Sequence, residues 1–238
     1  MGIIKTKGII LAQNNMGDND TMCTILTPNL GKIGCAAKGS RRPKSSLMAG
    51  TQFLCFGDFI IYKGVGSYNM NSCEPIEIFY NIRLDIDKLT IASEIAKITN
   101  DVTNENDNSS YRILQLVLNT LYVISETDID LDFALSIFKL RLLSIIGFRP
   151  IIEQCANCGE KENLNYFSLK NNGLECDICA RLDKSAIKIS QSTAKAIKFI
   201  IWAEPKKIFS FNMSDENKQE LKVLSKLYLD KCLEREYP

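Results

Sequence analysis

The 238-residue chain contains no histidine. Most hydrolytic triads and the histidine-bearing zinc deaminase site are thereby excluded, because each needs an imidazole. There is also no phosphate-binding loop of the G-x4-G-K-[ST] kind. No apolar run approaches about eighteen residues without charge, so no membrane span and no membrane partner are expected. Neither sign of charge prevails: 29 Lys and Arg face 28 Asp and Glu, which rules out a uniformly basic protein. We find no internal repeat. What remains is an ordinary soluble composition, 45% apolar and 24% charged, in a chain long enough for one large domain or several small ones.

Cysteine, by contrast, is abundant. Cys155, Cys158, Cys176 and Cys179 form two C-x2-C pairs separated by seventeen residues. That spacing suits one structural Zn2+ held tetrahedrally and closed on all four positions. Gly159 after the first pair can take positive φ. Tyr166-Phe167-Ser168-Leu169 and Leu174-Glu175 flank Lys170-Asn171-Asn172-Gly173, whose Asn-Gly step predicts a hairpin that returns the second pair toward the first. Such a site contributes on the order of 10–16 kcal/mol to folding. The competing readings are a redox dithiol, an iron site of rubredoxin type, and four unrelated core cysteines. Cys23, Cys35, Cys55, Cys73 and Cys232 are expected to be small buried thiols. An odd number of cysteines and a short, charged N-terminal stretch unlike a signal peptide suggest a reducing cytoplasm.

Along the chain, the pattern predicts a multi-domain protein. Residues 1–80 read as an all-β domain with strands at 3–11, 21–27, 32–38, 51–63 and 68–78, suited to a closed barrel of the OB-fold type. In the fourth strand Phe53, Cys55, Phe59 and Ile61 share the expected core face, while Gln52, Phe56, Asp58 and Tyr62 face outward. Residues 81–150 begin an α-helical bundle domain, with helices at 88–100, 111–125 and 132–146. Asp130 or Asp132 suits the N-cap of the last, which is apolar nearly all round and is expected at the bundle centre. A polar connector occupies 101–110. The four-cysteine zinc module is inserted over 151–184. Residues 185–238 complete the helical domain, with a helix at 191–202 and another from an N-cap at Ser214 to Leu233.

The acids avoid one stretch. From Lys32 to Lys63 the bases Lys32, Lys38, Arg41, Arg42, Lys44 and Lys63 meet only Asp58, a local net charge of +5. Arg41, Arg42 and Lys44 share a loop with Gly39 and Pro43, so several cations can project together toward phosphates. Phe56 and Tyr62 are candidate stacking surfaces, or else pack against the helical domain. A solvated loop is the bland alternative for the cations.

Several segments stand in a telling order: Gly8-Ile9-Ile10-Leu11, Leu26-Thr27-Pro28 with Gly31-Lys32-Ile33, and Ala37-Lys38-Gly39-Ser40-Arg41-Arg42-Pro43-Lys44-Ser45. Phe59-Ile60-Ile61-Tyr62-Lys63-Gly64, Phe138-Lys139-Leu140-Arg141-Leu142-Leu143, Gly147-Phe148-Arg149-Pro150 and Cys155-Ala156-Asn157-Cys158-Gly159 continue the series. Over essentially the whole chain these segments resemble the RecO family of bacterial DNA repair and recombination mediators. The resemblance implies a non-enzymatic protein that binds single- and double-stranded DNA and anneals complementary strands. It also implies contacts with RecR and with the C-terminal tail of the single-stranded DNA-binding protein, loading of RecA, and a nucleoid-associated place in the cytoplasm. The chain departs from the family's usual Glu-x-Asp at Asp18-Asn19-Asp20, and some members lack the cysteines. A four-cysteine adaptor that binds protein or RNA in transcription or translation is the alternative class. A redox enzyme is a third, disfavoured because no βαβ pattern precedes either cysteine pair.

Overall fold

Alternating apolar residues build five strands, β1 Gly2–Met16, β2 Asp20–Thr27, β3 Gly31–Ala37, β4 Phe56–Lys63 and β5 Tyr68–Glu77, in the computed structural model, which describes residues 2–237. They close into a barrel in the order β1-β2-β3-β5-β4. β1 closes it by pairing twice: residues 2–9 lie antiparallel to β4, and residues 9–16 lie antiparallel to β2, with an irregularity between Ile10 and Ala12. Ile10, Cys23, Ile25, Ile33, Cys35, Cys55, Phe59 and Ile61 fill the interior.

The fourth strand is shorter than its composition predicts. Residues 51–54 form turns in which the Thr51 hydroxyl donates to the Leu47 carbonyl and Leu54 takes a left-handed φ of 62°. Phe53 is therefore not part of the strand's inner face, whereas Cys55, Phe59 and Ile61 are in the core as expected.

Ile9, Leu11 and Leu26 are buried but do not belong to the barrel-interior cluster. Helices cover this side. After α1 Tyr80–Arg83, α2 Ile86–Val102 packs on β1, and α3 Ser110–Glu126 packs on β2 and β3. Residues 1–126 thus form one contact unit, and residues 127–238 form another. The polar connector between α2 and α3 returns to the barrel: Lys32 N–H donates to the Asn104 carbonyl, and Asn106 N–H donates to the Leu30 carbonyl. Gly31 makes this possible, since its φ of 71° is left-handed and any Cβ there would strike the Asn104 carbonyl.

In the second unit α4 Leu131–Ile145 starts at Asp130, whose side chain accepts from Phe133 N–H at 2.8 Å. Ten of its residues are buried, from Phe133 to Leu143, and it packs against α6 Gln191–Trp202 and α7 Asp215–Leu233. Ser214 stands at the start of α7 without a side-chain capping bond, unlike its expected role. Between α4 and α6 lie β6 Tyr166–Ser168, β7 Gly173–Glu175, α5 Asp177–Ala180 and β8 Ala186–Lys188. The strands form one sheet in the order β7-β6-β8. The predicted β6–β7 hairpin is present, but Asn172, not Gly173, carries the left-handed φ, at 53°. Gly173 belongs to the strand and admits the Ile151 backbone alongside it.

Candidate metal centre and nucleic-acid interface

Each cysteine pair is shaped by its own backbone bonds. In the first, Gly159 N–H donates to the Cys155 carbonyl at 3.0 Å, with Gly159 at φ 82°. Ala156 N–H donates to the Leu174 carbonyl at 2.7 Å and ties this turn to β7. In the second, Cys176 stands just before α5, and Ala180 N–H donates to its carbonyl. The four thiol sulfurs consequently lie within 4.8 Å of one another, with Cys158 Sγ and Cys176 Sγ 3.8 Å apart. Zinc–sulfur bonds of about 2.3 Å in a tetrahedron require sulfur separations of about 3.8 Å, so the donor set fits such an ion.

The four thiols do not share one electrostatic setting: neighbouring cluster thiols push Cys158 and Cys179 up. Burial pushes the Cys155 thiol up, but the amides of Cys158, Cys176 and Asn157 outweigh it and bring it down to about 6. Thiolate is the form that binds metal. The module is anchored firmly: Phe167 meets the Tyr228 ring of α7 edge-on at 5.1 Å, and the Tyr228 hydroxyl donates to the Phe148 carbonyl.

The six candidate cations separate into two groups. Lys38, Arg41, Arg42 and Lys44 are all exposed in the loop that leaves β3. This loop is pinned to the β1–β2 turn. Gly39 N–H donates to Asp20 Oδ1 at 2.7 Å, Arg41 N–H donates to the Asn19 carbonyl at 3.0 Å, and the buried Ser40 hydroxyl donates to Thr21 Oγ1 at 2.8 Å. Lys44 has a left-handed φ of 67°. Four cations therefore project from a fixed backbone.

Lys32 and Lys63 are placed differently. Six strand steps separate Lys32 from Lys38, a distance of about 20 Å. The half-buried Lys32 ammonium donates to the Asn100 carbonyl in the last turn of α2, a favourable place for a cation. Lys63 pairs with Glu105 at 3.7 Å and lies 5.0 Å over the Tyr68 ring. Of the two aromatics, Tyr62 is exposed on the barrel. Phe56 is half-buried and lines a cleft of about 220 Å³ with Tyr111, Leu114 and Leu118 of α3.

Two features lay outside the sequence reading. Glu105 is one, and only the return of the connector to the barrel brings it to Lys63. The other is the basic stretch 181–207, with Arg149 stacked on Trp202; an aromatic among helical lysines was its available signal.

Comparison with known proteins supplies the context. Residues 1–79 match the family description Recombination protein O N terminal, and residues 83–238 match Recombination protein O C terminal. A DNA repair protein RecO of Acetivibrio thermocellus is 42% identical over 238 residues, covering all of this chain and 94% of the relative. Proteins of the same name from Alkaliphilus metalliredigens and a Thermoanaerobacter species are 33% and 31% identical, covering 98% and 100% of this chain and 95% of each relative. No helix among the described residues is long and apolar enough to cross a membrane. With both halves matched in order and relatives aligned along its whole length, the chain belongs to the RecO family of DNA repair proteins.

Proposed function

We propose that this protein is a non-catalytic DNA repair and recombination mediator. It binds single- and double-stranded DNA, anneals complementary strands, and acts with RecR and the single-stranded DNA-binding protein to load RecA. The observation that carries the DNA reading is the exposed loop of Lys38, Arg41, Arg42 and Lys44, fixed to the turn of a barrel we assign to the OB-fold type. Phosphate contacts of this kind add affinity without sequence preference. Lys32 and Lys63, already engaged by Asn100 and Glu105, contribute less than the loop. One Zn2+ on Cys155, Cys158, Cys176 and Cys179 holds the inserted module together. A closed four-thiolate shell leaves no position for substrate, so the metal is structural; with no phosphate-binding loop in the chain, strand annealing requires no nucleotide.

Salt titration of single-strand binding tests this reading. If three or four loop cations engage phosphates, log affinity falls with log salt at a slope of about −2 to −3. Arg41→Ala with Arg42→Ala should flatten the slope by about 1.4, weaken binding alike for unrelated sequences and slow annealing, with metal content unchanged. Wild-type affinity of this double variant at two salt concentrations removes the loop from the site. A requirement for ATP hydrolysis by the protein alone overturns the non-catalytic assignment. Binding of RNA or protein without annealing favours the adaptor class instead.

A further inference from the structure

We infer that the solvent face of α6 is a second contact surface for single-stranded nucleic acid, with Trp202 as a base-stacking platform and Lys195 and Lys198 as phosphate contacts. The inference rests on the DNA-binding reading above. It places a contact in the unit of residues 127–238, whereas the barrel loop belongs to the unit of residues 1–126.

Three observations carry it. First, charge is concentrated here. From Arg181 to Lys207 seven bases meet two acids, a net charge of +5 equal to that of the barrel stretch. Both acids are engaged locally: Asp183 accepts from the Ser168 and Ser185 hydroxyls, and Glu204 pairs with Lys207 at 2.9 Å.

Second, the exposed residues of α6 are Gln191, Ser192, Lys195, Phe199 and Trp202, with Lys198 half-buried. Lys195, Lys198 and Trp202 follow i, i+3, i+7, which puts them on one face over about 10 Å of helix. No exposed residue of α6 is aliphatic. Aromatic rings interleaved with cations suit a single strand, whose bases stack while its phosphates meet ammonium groups. A protein interface also uses aromatic rings, but its core is poor in lysine, which is what accompanies the rings here.

Third, Trp202 is held rather than loose. Arg149 lies 5.0 Å from the ring, the indole N–H donates to Glu153 at 3.2 Å, and the residue is still 59% exposed. Its backbone is fixed because Arg141 donates to the carbonyls of Ile200, Ile201 and Ala203. A rigid aromatic loses little freedom when a base stacks on it.

Trp202 is the only tryptophan in the chain, so its emission reports on this face alone. The full-length protein is titrated with a fluorescein-labelled oligodeoxythymidylate followed by anisotropy, and with the unlabelled strand followed by tryptophan emission. The expected result is saturable quenching with the same midpoint as the anisotropy change. Quenching should persist, at a weaker midpoint, when Arg41 and Arg42 are replaced by Ala. Lys195→Ala with Lys198→Ala should flatten the salt slope by about 1.4. Trp202→Ala should weaken binding about fivefold or more, with Trp202→Phe recovering part of the loss. Anisotropy showing binding while emission stays constant, with wild-type affinity in the Lys195 and Lys198 variant, overturns the inference and leaves the barrel reading intact. Failure of the labelled strand to bind the wild-type protein overturns both. Quenching by polyglutamate but not by the oligonucleotide assigns the face to an acidic polypeptide and also overturns it.

Discussion

Nine thiols of identical chemistry acquire two behaviours from their surroundings. Cys23 and Cys35 face each other across β2 and β3, fully buried, and burial pushes both up to about 12. Cys55 rises to about 11 for the same reason, and Cys73 rises as well. Such thiols stay protonated and inert at neutral pH. In the cluster of Cys155, Cys158, Cys176 and Cys179 the thiols are unequal: amides favour thiolate at Cys155, while neighbouring cluster thiols push Cys158 and Cys179 up. Treatment with a strong chelator should loosen the module and make Cys155 the first thiol to react with a maleimide at pH 7, while the barrel thiols remain unreactive until the protein is denatured. Cys176→Ser should lose the metal and lower stability by several kcal/mol. Elemental analysis and mass spectrometry of the labelled peptides check both. Metal-free protein with all nine thiols titrating would contradict the centre, and rapid labelling of Cys23 or Cys35 in the native protein would contradict the seal. The cysteine spacing was legible because two pairs and a hairpin are local features. The amides that tune Cys155 were not, because Cys176 reaches it only through the folded sheet.

Helix α6 shows how an element can be fixed at both ends by side chains far along the chain. At its N-terminus Ser190 caps Thr193 N–H, and Glu220 of α7 accepts from Ser190 N–H at 2.9 Å and from the Thr193 hydroxyl at 2.7 Å. At its C-terminus the Arg141 guanidinium of α4 gathers three carbonyls. Negative charge at the start and positive charge at the end both oppose the helix dipole. Burial raises the Glu220 carboxyl, but the bonds from Ser190 and Thr193 outweigh it and hold it below its ordinary value. The Asp183 carboxyl is held low chiefly by the Ser168 hydroxyl, which donates to it. A carboxylate with a lowered native pKa stabilises the fold fully above its unfolded value of about 4 and ceases to do so as pH falls through the native value. Glu220→Gln should thus be less stable than wild type at pH 7, with the gap closing below about pH 4. Urea melts of both proteins at several pH values check this, and a gap that stays constant to pH 3 would contradict it. The extent of the helix was legible, since its apolar stripe is regular. Its clamps join residues 27 to 62 positions apart and leave no local trace.

For the whole chain, the switch from strands to helices near residue 80 and the central place of α4 could be read from periodicity. So could the exposed cationic loop. What covers each apolar face could not. The stripe on α2 predicts burial but not burial on β1, and the outward Ile9 and Leu11 read as ordinary strand residues until α2 is seen against them. The Asn-rich connector reads as a free loop, yet it docks on the barrel because Gly31 has no side chain. Lys32 and Lys63 read as members of one basic patch, and the fold gives each a long-range partner, Asn100 and Glu105.

The double pairing of β1 sets an order in time. Its second half meets β2 across a short turn, so that hairpin can form early, whereas residues 2–9 must wait for residues 56–63. Pairing across so long a separation closes slowly, because the chain between must be gathered first. During that interval the first half of β1 presents an unpaired edge, the feature by which strands of different molecules join. Refolding followed by pulsed hydrogen exchange should protect the amides of β2 and β3 before those of residues 2–9. Simultaneous protection would mean that the barrel closes in a single step. A nascent chain released before Lys63 is made would keep that edge open permanently, which makes early truncations of this protein prone to aggregate.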